Sequence, residues 1–325
     1  MREFIMDYLA QLKVARKQSF KNLAMFPLLS AYASNLKYLL LDEALREGLV
    51  EVVEVSKEGA VPELNVTNNS PQMVLILDGE ELVGAKQNRI VNTTILIQAN
   101  TTIVIPVSCV EQGRWSYHSP HFASEERVMS PSLRAMKSEQ VQFSLRSSGE
   151  YRSDQGALWH GIAEKAARRG AASPSMAMAE IYEKDAPSIQ EYAKHFRLVD
   201  SQVGAIFMIN GKVAGLDGFG KPGTFLKIFR KLLESYALDA TDWYEPEKGC
   251  KALKSEVTKF QKATLLANAE GRRSVGLGID FRLESKKVTG FALALDDQLL
   301  HISVFSRSDG RDRHPADSRL RRFSG

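Results

Sequence analysis

Apolar positions along the chain follow two different periods. Phe4, Ile5, Tyr8, Leu9 and Leu12 recur at helical spacing, so residues 3–16 read as an amphipathic helix. A second helix is expected over 36–49, with Gly48 near its end. Then the period shortens. Residues 51–55, 63–67, 72–77, 89–98 and 101–109 are rich in Val, Ile, Thr and Leu, and turn formers such as Pro62, Asp78-Gly79 and Asn100 separate them. This is a meander of short strands, for which antiparallel pairing in a sandwich or barrel-like form is expected.

Residues 116–155 are polar and Ser-rich, interrupted by Pro120 and Pro131, and read as a long connection with one helix near 132–145. Helical patterns follow over 155–169, 175–184 and 188–196. Asn210-Gly211 lies between two apolar runs in 203–216, which is a strong hairpin signal. Helices are expected at 222–238 and 247–269. Strands are expected at 275–283, 288–295 and 299–305, with the last turn at Asp296-Asp297. The fold class is therefore α+β, a mostly antiparallel sheet with a helical second half that carries further antiparallel strands. The pattern divides into N-terminal helices (1–50), a β-rich ligand-binding part (51–118), a connection (119–154), an α+β part (155–306) and a basic tail (307–325).

Composition narrows the function classes. Hydrophobic residues make up 44% and charged residues 25%, ordinary for a packed chain of 325 residues. Much of the net charge of +4 sits in the tail, whose composition is that of a disordered segment. Its arginines are not interleaved with aromatics, which speaks against nucleic acid. Cys109 and Cys250 are too few for a disulfide framework, so a cytoplasmic setting is expected. The opening MREFIMDYLAQLKVARKQ has no secretory pattern, and no apolar run approaches membrane-spanning length. Nothing in the chain excludes a homo-oligomer.

Two polar segments interrupt the strands. The first, LDGEELVGAKQNRIVN, brings Glu80, Glu81, Lys86, Gln87, Asn88 and Arg89 together, with Gly84-Ala85 suiting a closely approached backbone. The second, VSCVEQGRW, carries Cys109, Glu111, Gln112, Arg114 and Trp115. Glu81 and Glu111 are the candidate acid and base, expected to converge on one pocket. Arg89 and Arg114 are candidate anion forks, and Trp115 a stacking platform. Glu80, Lys86, Gln87, Asn88 and Gln112 complete the expected ligand-binding set. The alternative is a charged hairpin tip with Trp115 in the core. Cys109 reads as a buried hydrophobe rather than a nucleophile. Gly215–Lys221 matches G-x-x-x-x-G-K, but Pro222 replaces the hydroxyl residue, so a nucleoside-triphosphatase loop is not expected. His118 and His121, with Glu125 and Glu126, fit no familiar zinc spacing. No metal is assigned and no cofactor is named.

The phrases GEELVGAKQNR and IPVSCVEQGRW, within a match over about 27–115 that continues more weakly to Phe305, carry a resemblance. The sequence resembles a poorly characterised prokaryotic family named for genomic association with ADP-ribosylglycohydrolases and rhodanese-phosphatase proteins. The resemblance implies a role near ADP-ribose or other NAD-derived nucleotides, including conflict with phages, and implies no settled reaction. Two readings stay open. One is a hydrolase cleaving a glycosidic or phosphate bond of an ADP-ribose-like compound; the other is a non-catalytic sensor or sequestering protein for a small anionic nucleotide.

Overall fold

The run Leu23–Leu29 (LAMFPLL) is almost wholly buried, and its backbone pairs with residues far along the chain. The computed structural model describes residues 3–56, 62–116, 119–171, 174–246 and 251–307; the basic tail beyond 307, His118 and Cys250 lie outside them. In chain order the elements are α1 (Glu3–Gln11), β1 (Lys13–Val14), β2 (Gln18–Phe20), β3 (Leu23–Leu29), β4 (Tyr38–Leu40), α2 (Leu41–Arg46), β5 (Val50–Glu54), β6 (Glu63–Asn68), β7 (Met73–Ile76), β8 (Glu80–Gly84), β9 (Arg89–Val91), β10 (Ile95–Ile97), β11 (Thr101–Cys109) and β12 (Phe122–Val128). There follow α3 (Pro131–Ser147), α4 (Gln155–Arg169), α5 (Met178–Ala193), β13 (Gln202–Ile209), β14 (Lys212–Phe219), α6 (Pro222–Asp242), α7 (Lys254–Leu265), β15 (Asn268–Arg273), β16 (Ile279–Glu284), β17 (Val288–Leu295) and β18 (Gln298–Ser306).

The chain is α+β. A nine-stranded antiparallel sheet runs β1-β3-β13-β14-β18-β17-β16-β15, with β2 also on β3. A six-stranded antiparallel sheet runs β12-β8-β9-β11-β6-β5, and its interior is Val52, Leu64, Val66, Leu82, Val91 and Val107. Its two outer strands come together, with His121 Nδ1 3.0 Å from Glu51 Oε1, so the sheet is barrel-like. A small sheet, β10-β7-β4, is antiparallel between β7 and β10 and parallel between β4 and β7. Helix α6 lies centrally. Phe225, Ile228, Leu232 and Tyr236 on it are buried at helical spacing, and Pro222 opens it where no N–H is missed. No helix among the described residues is long and apolar enough to cross a membrane.

Several expected elements are rearranged, each for a local reason. The strand expected at 89–98 divides into β9 and β10 in different sheets. Between them Thr93 accepts from Arg282 Nη2 (2.8 Å) and Thr94 Oγ1 meets His301 Nδ1 (2.8 Å), which draws these residues toward the nine-stranded sheet. Residues 101–106 of β11 consequently pair with β6, and only 107–109 reach β9. The helix expected at 36–49 is confined to Leu41–Arg46, because Tyr38–Leu40 pairs with β7. Pro187 lies inside α5 rather than ending a helix. Ile181, Tyr182, Ile189 and Tyr192 keep one buried stripe across it, and that packing outweighs the one lost hydrogen bond. The connection at 119–154 contains a strand, β12, and β15 takes residues expected at the end of a helix.

Two glycines near the start of α6 differ in what surrounds them. A Cβ on Gly220 would overlap the Leu299 carbonyl oxygen, whereas one on Gly223 meets nothing within 4 Å. We expect Gly220→Ala to destabilise the fold by about 2–3 kcal/mol through overpacking, and Gly223→Ala, in the first helical turn, to be neutral or stabilising by about 0.5–1 kcal/mol. Chemical denaturation of both variants checks this; equal midpoints would mean that the start of β18 at Leu299 gives way freely.

Candidate functional site

The two sequence clusters meet at one end of the six-stranded sheet, but register divides them between its faces. Arg89 is opposite both Leu82 and Cys109, so these three side chains share the inner face. Glu81 is opposite Ile90, which is opposite Ser108, and these belong to the other face, toward the helices. Glu81 thus stands on the face opposite Arg89.

Glu111 follows β11 and is fully engaged. Its carboxylate accepts from Arg114 Nε (2.9 Å), Arg114 Nη2 (2.6 Å) and the Asn88 backbone N–H (3.0 Å). Although burial alone would raise it, these bonds hold Glu111 below the usual carboxylate range. Arg114 also donates to the carbonyls of Ala85 (2.7 Å) and Ser116 (3.0 Å) and to Asn88 Oδ1 (3.1 Å). The pair is a clamp between the 85–88 turn and the 110–116 loop. Gly84 is indeed closely approached, but by the chain itself: an added Cβ would stand 2.6 Å from His121 O and Ser119 Oγ. Gln112 is exposed.

Arg89 is wholly buried. Its Nη1 donates to the backbone oxygen (3.1 Å) and Oε1 (3.2 Å) of Gln87, and burial lowers its pKa from the ordinary value. Cys109 Sγ lies 3.0 Å from Gln87 Oε1, and burial pushes the thiol up, away from nucleophile behaviour. Lys86 Nζ and Arg89 Cζ lie 5.3 and 5.7 Å from the indole of Trp115, which is 49% exposed and not part of the core.

Glu80 belongs to a different place. A cleft of about 380 Å³ opens between α2, β12, α5 and α6, with Asp42, Arg127, Tyr182, Lys227, Arg230, Lys231 and Glu234 in its wall. The register shift of β12 between Ser124 and Val128 places Arg127 there. At the inner wall Lys231 Nζ bonds Asp42 and, at 2.5 Å, Glu80 Oε1, while Glu80 Oε2 accepts from Leu77 N–H (3.0 Å). Burial first, and then the neighbouring and hydrogen-bonded Asp42, push Glu80 up to about 8 against the pull of Lys231. Asp42 goes the other way. Burial would raise it, but Lys231, the bonded Glu80 and Ser124 hold it low. The two carboxyls are thus pushed in opposite directions, an arrangement suited to acid–base chemistry. A cation at this position would have to replace Lys231.

Glu81 lies behind the same wall. It is fully buried and neither carboxylate oxygen has a hydrogen-bond partner. Burial raises it to about 8, offset partly by Arg127 and reinforced by Glu125, Glu111 and Glu183. Glu111 therefore reaches Glu81 as a charge, while its bonding partners lie elsewhere.

A third polar group was not anticipated. Arg134 on α3 donates from Nη2 to Asp217 Oδ1 (2.7 Å) and Ser303 Oγ (2.6 Å), and from Nε to Asp78 Oδ2 (3.4 Å). Lys137 bonds Asp78 and the carbonyls of Val91 and Asn92 (each 3.1 Å); Tyr236 donates to Asp217 Oδ2 (2.8 Å). Asp217, read as part of a glycine loop, is buried in this network, and Lys221 donates to the Leu36 carbonyl (2.8 Å). Asp42, Lys231, Arg134 and Lys137 escaped notice as helix charges. Yet Arg134, Lys137, Ser138 and Val141 recur at the helical period of one buried face, a signal that the sequence carried.

A protein-family model described as the ARG and Rhodanese-Phosphatase-superfamily-associated Protein domain matches residues 11–305. Neither the curated proteins nor the solved structures give a match.

Glu80 and Glu81 make stability depend on pH. Their folded values, about 8, lie above the ordinary 4.5. Their contribution is fully present below 4.5 and is lost as pH rises through about 8. We expect Glu81→Gln to change stability little at pH 5 and to raise it by about 1–2 kcal/mol at pH 9. Melting curves from pH 5 to 9 measure this, and a variant that tracks the wild type at every pH would refute it.

Proposed function

The chain belongs to the family described as ARG and Rhodanese-Phosphatase-superfamily-associated Protein, and on that premise we propose that it binds an ADP-ribose-type, NAD-derived nucleotide in the cleft between α2, β12, α5 and α6 and hydrolyses it there. The observation that carries this reading is Asp42 in the cleft wall, bridged by Lys231 to the buried Glu80 behind it. Arg127, Lys227 and Arg230 supply cations for a diphosphate, and carboxylates such as Glu234 accept ribose hydroxyls. Asp42 is the member that meets the substrate. It takes a proton from an attacking water and returns it to the leaving oxygen, so water is added across one glycosidic or phosphate bond. Glu80, more deeply buried, is a positioning residue that holds its proton against Asp42, and Lys231 keeps Asp42 ionised. Cytoplasmic turnover of such nucleotides, including host–phage conflict, is the setting that goes with this reading.

A second reading has one observation in its favour. Lys231 bonds both carboxyls and holds Asp42 low, which weakens it as a base. The same cleft would then only bind, as a sensor or sequestering module. In this reading Glu111 and Arg114 shape the fold near the ligand rather than touch it.

Incubation with ADP-ribose, NAD and cyclic derivatives, followed by chromatography, separates the two. We expect new products, with Asp42→Asn lowering turnover by about 10²–10⁴-fold while ligand affinity changes little. Unchanged nucleotide co-eluting with protein would favour the binding module, and wild-type turnover in Asp42→Asn would remove the pair from the mechanism.

A further inference from the structure

The barrel end near Trp115 holds polar groups that the cleft does not use. On Arg89 one edge of the guanidinium, Nη1, is occupied by Gln87. The other edge, Nε and Nη2, is buried and without a hydrogen-bond partner. Glu54, at the end of β5, stands beside it with Oε1 3.8 Å from Nη2, beyond hydrogen-bond reach, and neither of its oxygens has a partner. Two donors and two acceptors therefore lie side by side in an apolar interior, where such groups are costly unless something bonds them. Over Arg89 lies the half-exposed indole of Trp115, carried on the 110–116 loop.

We infer that this end of the barrel is a subsite for a neutral, planar ring whose edge carries an acceptor beside a donor, as a nucleobase or a ring carboxamide does. The charges select the class. A phosphate or carboxylate would satisfy Arg89 but meet the Glu54 carboxylate at close range. An ammonium would satisfy Glu54 and meet Arg89. An adenine edge offers a ring nitrogen to the Nε/Nη2 fork and an amino group to Glu54, and its face stacks on Trp115. Glu54 is the residue that turns an anion fork into a site for a neutral edge. Trp115 is the part that the ring meets first, because it is half-exposed while Arg89 is wholly and Glu54 almost wholly buried. The subsite deepens the nucleotide reading by naming the portion of ligand held here, and it shares no residue with the cleft.

The full chain is titrated with adenosine, nicotinamide and inorganic phosphate, followed by calorimetry and tryptophan fluorescence. Saturable binding of adenosine or nicotinamide is expected, with fluorescence change and no competition from phosphate. Trp115→Ala and Glu54→Gln each weaken it by about tenfold or more, while both melt as folded proteins. Binding persists in Asp42→Asn even if that variant, or the wild type, shows no turnover, so failure of the cleft reading is distinguishable. Absence of saturable binding at millimolar ligand, equal affinity in both variants, or displacement of the ring by phosphate would each overturn the subsite and leave Arg89–Glu54 a plain interior ion pair.

Discussion

The Arg134 guanidinium holds together parts of the molecule that are distant in sequence. From α3 it reaches Asp217 on β14 and Ser303 on β18 in the nine-stranded sheet, and Asp78 on the turn between β7 and β8. Lys137, one turn along, bonds the same Asp78 and the end of β9. Two carboxylates and two cations thus balance in a space with no water contact, and Tyr236 and Ser303 occupy further lone pairs of Asp217. A buried charge without its partner is strongly destabilising, so this network tolerates few relative placements of helix and sheets. That restriction matters more for specificity than for net stability, since an apolar replacement of the whole set could pack equally well.

The cleft depends on the same arrangement. Glu80 begins two positions after Asp78, and its partner Lys231 is on α6, the helix whose Tyr236 bonds Asp217. The acid pair is therefore set between two anchors, one at each end of the Asp78–Glu80 turn. Such support from rigid neighbours is what keeps such a carboxyl pair at bonding distance.

Local chemistry made part of this legible. Asn210-Gly211 and Asp296-Asp297 were read as hairpin turns, and all four residues have positive φ, which those residue types tolerate best. The strands at 51–55, 63–67 and 101–109 were legible from β-branched composition between turn formers, and α4 from its periodicity. β3 was not read, because its apolar run is ambiguous by itself and its partner β13 is remote. β12 was hidden because it buries only its two ends, Phe122 and Val128. In the site, Glu80 and Arg89 stood out as charges between strands, but a sequence segment does not disclose its two faces. The turn at 85–88 set the register, and with it Glu81 went to the helices and Arg89 to the barrel. Asp42 and Lys231 looked like solvated helix charges because each finds its partner through the tertiary fold alone.

The nine-stranded sheet has a consequence for how the protein is made. Residue 29 of β3 lies beside residue 202 of β13, with roughly 170 residues of intervening chain. On a ribosome, where chains grow at ~5–20 residues per second, β3 emerges on the order of ten to thirty seconds before its neighbour exists. For that interval an apolar strand, LAMFPLL, has β1 and β2 on one edge and its β13 edge open, the condition that attracts holdases or mispairs with another nascent chain. The intervening barrel can close meanwhile, since β4 to β12 find all their strand partners among themselves. Synthesis thus gives the molecule an order of assembly, barrel first and outer sheet last, and makes the N-terminal strand the segment most in need of a chaperone.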